Sequence, residues 1–168
     1  MNTSTVGLDE FLQARPRLFR IACRIVGNPH EAEELVQDVW LRWQHTDRAA
    51  VTEPQAFLAT AVTRLAINLV QSARRRHETS GGSWVAEESV ADDVDPHLQA
   101  EQREAFDAAV LLLRERLSPA ERATFVLREG FGYPYRQIGE TLRIGAPNAR
   151  QLVTRARARL SDLAQQAG

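Results

Sequence analysis

An acidic stretch over residues 77–102 divides the chain and limits the folds open to it. It contains seven acidic residues and no arginine, whereas the flanking stretches, 1–76 and 103–168, hold ten and eleven arginines. The polar segment Ser80–Ser83 and the lack of sustained periodicity are typical of a flexible linker. We therefore predict two folded units joined by an acidic linker. The alternative is one domain with a long surface loop, although structureless loops of about 20 residues are uncommon inside compact domains.

Helical periodicity dominates the first unit, and we find no alternating pattern typical of β-strands. The sequence Gly27-Asn28-Pro29 ends a first helix, and a second helix is predicted from about His30 to Trp43. A third helix begins at Pro54, whose fixed φ suits a first helical turn, and runs to Arg76. Its predicted buried stripe consists of Phe57, Leu58, Ala61, Val62, Leu65 and Leu69. The opposite face carries Thr60, Thr63, Arg64, Gln71 and Arg74.

The second unit has the outline of a helix-turn-helix. The sequence Ser118-Pro119-Ala120-Glu121 matches a capping box at the start of one helix. A short helix around Ile138 and Leu142, a tight turn and a long final helix from near Pro147 follow. The predicted fold class is therefore all-α, with two small helical domains of which the C-terminal one is a helix-turn-helix.

Composition argues against several classes of function. Four widely separated histidines and a single cysteine, Cys23, offer no metal-ligand spacing, no intrachain disulfide and no catalytic constellation. We therefore expect no enzyme, no cofactor and no metal site. No uninterrupted apolar run approaches the roughly 20 residues of a membrane helix, and Asp9 and Glu10 stand where a signal peptide has its apolar core. We expect a cytoplasmic protein with no membrane insertion.

The final helix separates two kinds of side chain. Apolar residues such as Ala149 and Val153 fall on one side of the helical wheel, and Arg150 and Gln151 fall on the other. In a helix inserted in the major groove, Arg150 and Gln151 would face base edges and Arg155 would face phosphates. All 21 basic residues are arginine, whose planar fork suits both targets, although codon bias would give the same usage. The alternative is an ordinary surface helix with solvated arginines.

Two further surfaces are candidates for binding. The second helix turns Glu34, Gln37, Asp38 and Leu41 outward, which suggests a protein-docking surface, although a single exposed leucine is also normal on a solvated face. The third helix ends in Arg74-Arg75-Arg76, and a basic terminus of this kind suits a nucleic-acid backbone. A solvated face that keeps the domain soluble is an equally good interpretation of that terminus.

Four segments, in order around the acidic stretch, resemble the extracytoplasmic-function sigma factors of RNA polymerase, which keep only regions two and four of the larger sigma factors. The segments are "GNPHEAEELVQDVWLRW" from Gly27, "PQAFLATAVTRLAINLVQSARRR" from Pro54, "LSPAERATFVLRE" from Leu117 and "YRQIGETLRIGAPNARQLVTRARARL" from Tyr135. The resemblance covers nearly the whole chain. It implies a region-two domain over 1–76, a linker over 77–102 and a region-four domain over 103–168.

The resemblance also implies a role for each surface. The residues implied in docking on the β′ clamp helices of core RNA polymerase are Glu34, Gln37, Asp38 and Leu41. Those implied in binding the minus-10 element, including capture of a flipped base, are Arg48, Thr60, Arg64, Asn68 and Arg74. Those implied in binding the minus-35 element are Arg136, Asn148, Arg150, Gln151, Thr154 and Arg155. The polymerase β flap and an anti-sigma factor are further implied partners, and the linker is expected to thread toward the polymerase active-site channel.

The leading hypothesis is a sigma factor that directs core polymerase to promoters and helps melt the minus-10 element. A polymerase-independent helix-turn-helix regulator is the alternative, and a helical adaptor that binds only proteins is a third hypothesis. The chain carries Phe57, Thr60 and Arg64 where family members usually carry Trp, Arg and Asn. The resemblance therefore does not predict which minus-10 sequence the chain recognises. The segment "APNARQL" does not predict a minus-35 sequence either.

Overall fold

The computed structural model describes residues 3–80 and 100–166, with side chains described over 7–76 and 108–166. The described residues contain no strand, which confirms the all-α prediction for them. They form seven α-helices: α1 (Thr3–Val26), α2 (Pro29–Gln44), α3 (Pro54–Ser80), α4 (Ala100–Arg116), α5 (Pro119–Phe125), α6 (Tyr135–Leu142) and α7 (Ala146–Gln166). A 3₁₀ turn, Arg48–Ala50, precedes α3, and a π-helical turn, Val126–Gly130, follows α5.

The boundaries of the predicted linker differ from those of the helices. The third helix continues to Ser80, beyond the predicted end of the first unit at Arg76. The fourth begins at Ala100, inside the stretch predicted as linker. The remainder of that stretch, 81–99, lies outside the described residues, so its linker role stays a prediction.

The first unit is a bundle of α1, α2 and α3. The side chain of Asn28 caps α2 by accepting hydrogen bonds from the backbone N–H groups of His30 and Glu31, and Pro29 occupies the first turn. Trp43 is fully buried, and its Nε1 donates to the backbone oxygen of Gly7 at 2.7 Å. This bond ties the end of α2 to the start of α1 and satisfies the one polar atom of the indole.

The second unit contains the predicted helix-turn-helix, formed by α6 and α7. Arg143 ends α6 in the left-handed conformation, with φ of 58°, and Ile144 N donates to the backbone oxygen of Gly139 at 2.9 Å. A Cβ on Gly139 would lie 2.7 Å from the backbone oxygen of Ile144, so the turn requires glycine there. The predicted capping box at the start of α5 is confirmed, because Ser118 and Glu121 each accept from the other's backbone N–H.

The two units pack directly against each other and share one hydrophobic cluster. One face of α3 packs on α1 and α2, and the helix also contacts α5 and α6. Thr63, predicted on the outward face of α3, is fully buried, and its hydroxyl donates to the backbone oxygen of Ala59. Phe57, predicted in the core, is 39% exposed. The prediction of the α3 stripe is wrong at these two positions. Thr63 is buried because Leu127 and Ile138 of the second unit cover it.

Arg122 forms a second contact between the two units. It is buried, and its guanidinium donates to the backbone oxygens of Leu113, Arg114 and Ile25 at 3.2, 2.9 and 2.7 Å. These oxygens belong to the last turns of α4 and α1, where the partial negative charge of a helix is concentrated. Burial, together with the charges of Arg114 and Arg74, lowers the pKa of Arg122 to about 10, so the guanidinium stays charged at neutral pH.

Within the described residues, the segment Pro54–Arg76 of α3 is long and apolar enough to cross a membrane, with a mean hydropathy of 1.2. A core helix of a soluble protein passes the same test of length and composition. In this structure α3 contacts α1, α2, α5 and α6.

Candidate nucleic-acid interface

The outward face of α2 consists of the residues predicted to dock on polymerase. Glu34, Gln37, Asp38 and Leu41 are all exposed, and Leu41 is 54% exposed. Buried Val36, Val39 and Trp43 hold the opposite side of the helix in the core. The side chains therefore form an acidic and amide surface around one apolar residue, with Glu34 Oε1 3.5 Å from Nε2 of His30. Their predicted role in binding polymerase stays a prediction.

The exposed face of α7 gathers the predicted minus-35 residues. Asn148, Arg150, Gln151, Thr154 and Arg155 are exposed, as is Arg136 on the neighbouring helix α6. The opposite face of α7 is fully buried at Ala149, Val153 and Ala156. A shallow depression of about 530 Å³ follows the exposed face, with Arg150, Gln151, Thr154 and Arg155 among its lining residues. The helix thus presents a continuous row of donors, held at a fixed orientation by its buried side.

Tyr135 contacts two arginines at the start of this surface, and the sequence did not predict this role. The guanidinium of Arg128 lies 4.3 Å from the Tyr135 ring centroid, and that of Arg150 lies 5.0 Å from it. Both distances are within the range of cation–π attraction. In the sequence, the only sign of these contacts is the tyrosine at the first position of α6. Tyr135 lies near Arg150 because of the turn between α6 and α7, so helical periodicity does not predict the contact.

Arg157, two residues beyond Arg155 on α7, pairs with Glu129. Its Nε donates to Glu129 Oε1 at 2.6 Å, and Nη2 contacts the same oxygen. This hydrogen bond raises the pKa of Arg157. Arg136 also faces a carboxylate, with Nε 3.5 Å from Glu140 Oε1. Among the described contacts, Arg155 has no pairing with a carboxylate. Arg155 is therefore the better candidate for binding phosphate.

The predicted minus-10 residues do not lie together on one open surface. Arg64 donates from Nε to the backbone oxygen of Thr141 at 2.9 Å, and from Nη2 to that of Glu140 at 3.0 Å. The hydroxyls of Thr60 and Thr141 are 3.0 Å apart. Thr60 and Arg64, two of the positions that depart from the usual sigma pattern, are therefore the ones that contact α6. Asn68 and Arg74 are exposed.

Arg48 lies at the other end of the first unit. Its Nη1 is 3.4 Å from the backbone oxygen of Trp43, and its guanidinium packs against Gly7. A Cβ on Gly7 would lie 2.7 Å from Arg48 Nε, so the close approach depends on the glycine. Arg48 is thus a structural contact of the α1–α2 junction as well as a predicted DNA ligand.

A cleft of about 1040 Å³ lies where α3 faces α6. Thr60, Arg64 and Asn68 line one wall, while Arg136 and Arg143 line the other. Burial, and then the charge of Arg143, lowers the pKa of Arg64. The cleft is therefore basic and brings residues predicted for two different DNA elements to one place.

Two family models match separate parts of the chain. The model for sigma-70 region 2 matches residues 11–76, and the model for sigma-70 region 4 matches residues 107–160. The chain belongs to the sigma-70 family. Its helix-turn-helix coincides with the sigma-70 region 4 match, and its α1–α3 bundle coincides with the region 2 match.

Similar proteins are extracytoplasmic-function members of this family. The sigma factor SigJ of Mycobacterium tuberculosis is 38% identical over 152 residues, covering 89% of this chain and 48% of the relative. SigI of the same species is 33% identical over 150 residues, covering 88% of this chain and 52% of the relative. The sigma-70 chain described here therefore spans about half the length of these relatives.

Solved structures show the same fold. The crystal structure of M. tuberculosis SigJ superposes with a TM-score of 0.63 at 32% identity, over 92% of this chain and 53% of that one. The sigma factor RpoE of Bartonella quintana, crystallised with the anti-sigma factor NepR, gives a TM-score of 0.71 at 23% identity. That match covers 94% of this chain and 95% of the other, and it shows likeness of fold.

Proposed function

We propose that this sigma-70 chain is a promoter-specificity subunit, which binds core RNA polymerase and directs it to promoters with minus-10 and minus-35 elements. The observation that supports this most directly is the occurrence of region 2 and region 4 matches in one chain, each on a unit with its own candidate surface.

In the proposed assembly, Glu34, Gln37, Asp38 and Leu41 dock on the β′ clamp helices. The exposed face of α7 enters the major groove of the minus-35 element, where Arg150 and Gln151 face bases and Arg155 faces phosphate. The region-4 unit also binds the β flap, and the acidic stretch threads toward the active-site channel. The protein acts in the cytoplasm with polymerase and catalyses no reaction itself.

Binding of the minus-10 element requires an unstacked base and cationic support for the strand. Thr60, Arg64 and Asn68 recur at four-residue spacing along α3, and Arg74 lies at the basic end of the helix. Arg48 supports the strand from the preceding turn. Stacking and hydrogen bonding to a flipped base offset the loss of its place in the duplex, which lets recognition and melting proceed together. An anti-sigma factor that covers the α2 face would keep the chain from polymerase.

The deciding experiment is reconstitution of the purified chain with bacterial core RNA polymerase, followed by transcription of fragmented genomic DNA and sequencing of transcript starts. We expect starts that share two upstream elements, absent with core polymerase alone. Stable binding to a palindromic site without polymerase, together with no change in transcript starts, would support the regulator hypothesis instead.

A further inference from the structure

One aromatic ring joins three elements of the second unit. Tyr135, at the start of α6, is half-buried, and its ring centroid lies 4.3 Å from the guanidinium carbon of Arg128 and 5.0 Å from that of Arg150. Arg128 belongs to the π-helical turn and Arg150 to α7. The ring is therefore a shared contact for two cations from separate parts of the unit.

Neighbouring contacts hold this ring in place. Arg128 Nη1 donates to the backbone oxygen of Tyr133 at 3.1 Å, which fixes the guanidinium beside the ring. The pKa of Arg157 is raised mainly by its hydrogen bond to Glu129, and a hydrogen bond with the Tyr135 hydroxyl adds to this. The tyrosine thus contacts α7 through its hydroxyl as well as through its ring.

The cation–π contact suits Arg150 for recognition of a base. A long, exposed side chain loses rotamer freedom when it binds, and this loss weakens its contact with the partner. The contact with the ring uses the charge of the guanidinium and takes up none of its hydrogen-bond donors. Tyr135 therefore holds Arg150 before DNA binds, while the N–H groups remain for a base edge.

Arg155 provides the comparison on the same face of α7. Both Arg150 and Arg155 line the depression along this face. In the part of the chain that the structure describes, Arg155 has no aromatic ring beside it. Bidentate contact with a base requires a defined position of the guanidinium, whereas attraction to phosphate does not. The ring therefore stands beside the arginine that needs the defined position.

We propose that Tyr135 is a positioning residue for minus-35 recognition: its ring fixes the guanidinium of Arg150, and the base preference of Arg150 depends on it. This inference rests on the proposed function. Tyr135 acts through Arg150 and selects no base itself. Loss of the ring therefore lowers discrimination at the position that Arg150 contacts and leaves the rest of the element unchanged.

A double-mutant cycle with the polymerase holoenzyme tests this dependence. Tyr135→Leu removes the ring and keeps an apolar side chain, whereas Tyr135→Phe keeps the ring and removes the hydroxyl. Competition binding across single-base minus-35 variants should show about two- to fivefold lower discrimination for Tyr135→Leu at one position, the range of an exposed cation–π contact. Tyr135→Phe should retain the wild-type discrimination there.

Two arginine variants show whether Tyr135 acts through Arg150. In an Arg150→Ala chain, Tyr135→Leu should cause no further loss, because the side chain that it positions is gone. In an Arg155→Ala chain, the same substitution should cause its full loss, because the two effects are independent. A tyrosine that only stabilised the unit, or that touched DNA directly, would lower binding in both chains.

The contact itself is measured in the free chain by NMR. A proton above an aromatic ring resonates upfield, and the loss of one signal in Arg150→Ala identifies the Nε–H group of Arg150. We expect this signal upfield in wild type and in Tyr135→Phe, and near that of Arg155 in Tyr135→Leu. Circular dichroism should show the same helix content in these three proteins.

The outcomes separate this inference from the proposed function. Wild-type discrimination in Tyr135→Leu, an equal loss in the Arg150→Ala chain, or an Arg150 signal unchanged by Tyr135→Leu would each overturn the positioning role. A loss in Tyr135→Phe as large as that in Tyr135→Leu would assign the effect to the hydroxyl and overturn it as well. If the wild-type holoenzyme shows no minus-35 preference, the proposed function fails and the role in base selection fails with it. The NMR signal then still decides whether Tyr135 holds Arg150.

Discussion

The hydroxyls of Thr60 and Thr141 are 3.0 Å apart although 81 positions separate the residues in the chain. This contact joins the second turn of α3 to the last turn of α6, and Arg64 adds two bonds to backbone oxygens of α6. None of these bonds pairs opposite charges. Each one is exchanged for bonds to water when the units separate, so the net cost is about 0.5–1.5 kcal/mol for the hydroxyl pair and about 1.5–3 kcal/mol for each bond of the charged guanidinium. A partner can therefore separate the two units if its binding free energy to the separated form exceeds the cost of breaking these bonds.

Charge reversal on the α2 face should separate polymerase binding from folding. We expect Asp38→Arg to weaken binding to core polymerase by at least tenfold, which corresponds to about 1.4 kcal/mol. Asp38 is exposed, so the midpoint of thermal unfolding should change little. Asp162→Arg, an exposed reversal on α7, is the matched control and should bind polymerase as wild type does. Equal binding by the two variants would place the docking surface elsewhere.

Two arginines on α7 should differ in what they contribute to DNA binding. We expect Arg150→Ala to lose roughly 1–3 kcal/mol of discrimination at one minus-35 position. Arg155→Ala should weaken binding about equally for all sequences and reduce the salt slope by about one. Competition binding by the holoenzyme across single-base minus-35 variants, at two or more salt concentrations, measures both effects. An unchanged base preference in Arg150→Ala would contradict the placement of this residue at a base edge.

The sequence predicts the helices and the two faces of α7 because local rules decide them. Asn28, Pro29 and the Ser118–Glu121 box mark helix starts through bonds to their own neighbours. The buried face of α7 follows from apolar residues at helical spacing. The assignment of separate roles to the two units likewise needs no knowledge of their packing.

The face of α3 could not be predicted in the same way. Thr63 is a small polar residue that satisfies its hydroxyl on Ala59, within its own helix, so it suits either water or a packed interface. Which of these it meets depends on the second unit, whose helices α5 and α6 lie far along the chain. The contacts of Arg64 are to backbone oxygens, which leave no trace in side-chain identity at positions 140 and 141.

Arg122 should be poorly replaced by lysine. Its planar guanidinium reaches three backbone oxygens on two different helix ends, whereas an ammonium is a single compact donor at the end of a flexible stem. We expect Arg122→Lys to lower the free energy of unfolding by about 1–3 kcal/mol, because buried acceptors lose their partner. Arg17→Lys, at an exposed position of α1, should stay within about 0.5 kcal/mol of wild type. Urea unfolding followed by circular dichroism measures both, and equal stability would show that the three bonds contribute nothing.

The turn of the helix-turn-helix offers a matched pair of glycines. A Cβ on Gly139 would lie 2.7 Å from the backbone oxygen of Ile144, while one on Gly145 would meet only Pro147 Cδ at 3.6 Å. Gly145 also supplies the oxygen that accepts from Ala149 N at the start of α7, a position where serine is favoured.

We therefore expect opposite results from the same substitution at these two positions. Gly139→Ser should destabilise the second unit by about 1–3 kcal/mol, because backbone must move to relieve the contact, and it should weaken minus-35 recognition by tilting α7. Gly145→Ser should leave stability within about 0.5 kcal/mol of wild type or raise it, and should retain minus-35 recognition. Thermal unfolding and minus-35 competition binding by the holoenzyme report the two properties separately. A stable Gly139→Ser variant that reads DNA normally would mean that the turn tolerates a Cβ, and the close packing of α6 against the start of α7 would then not set the orientation of the DNA-facing helix.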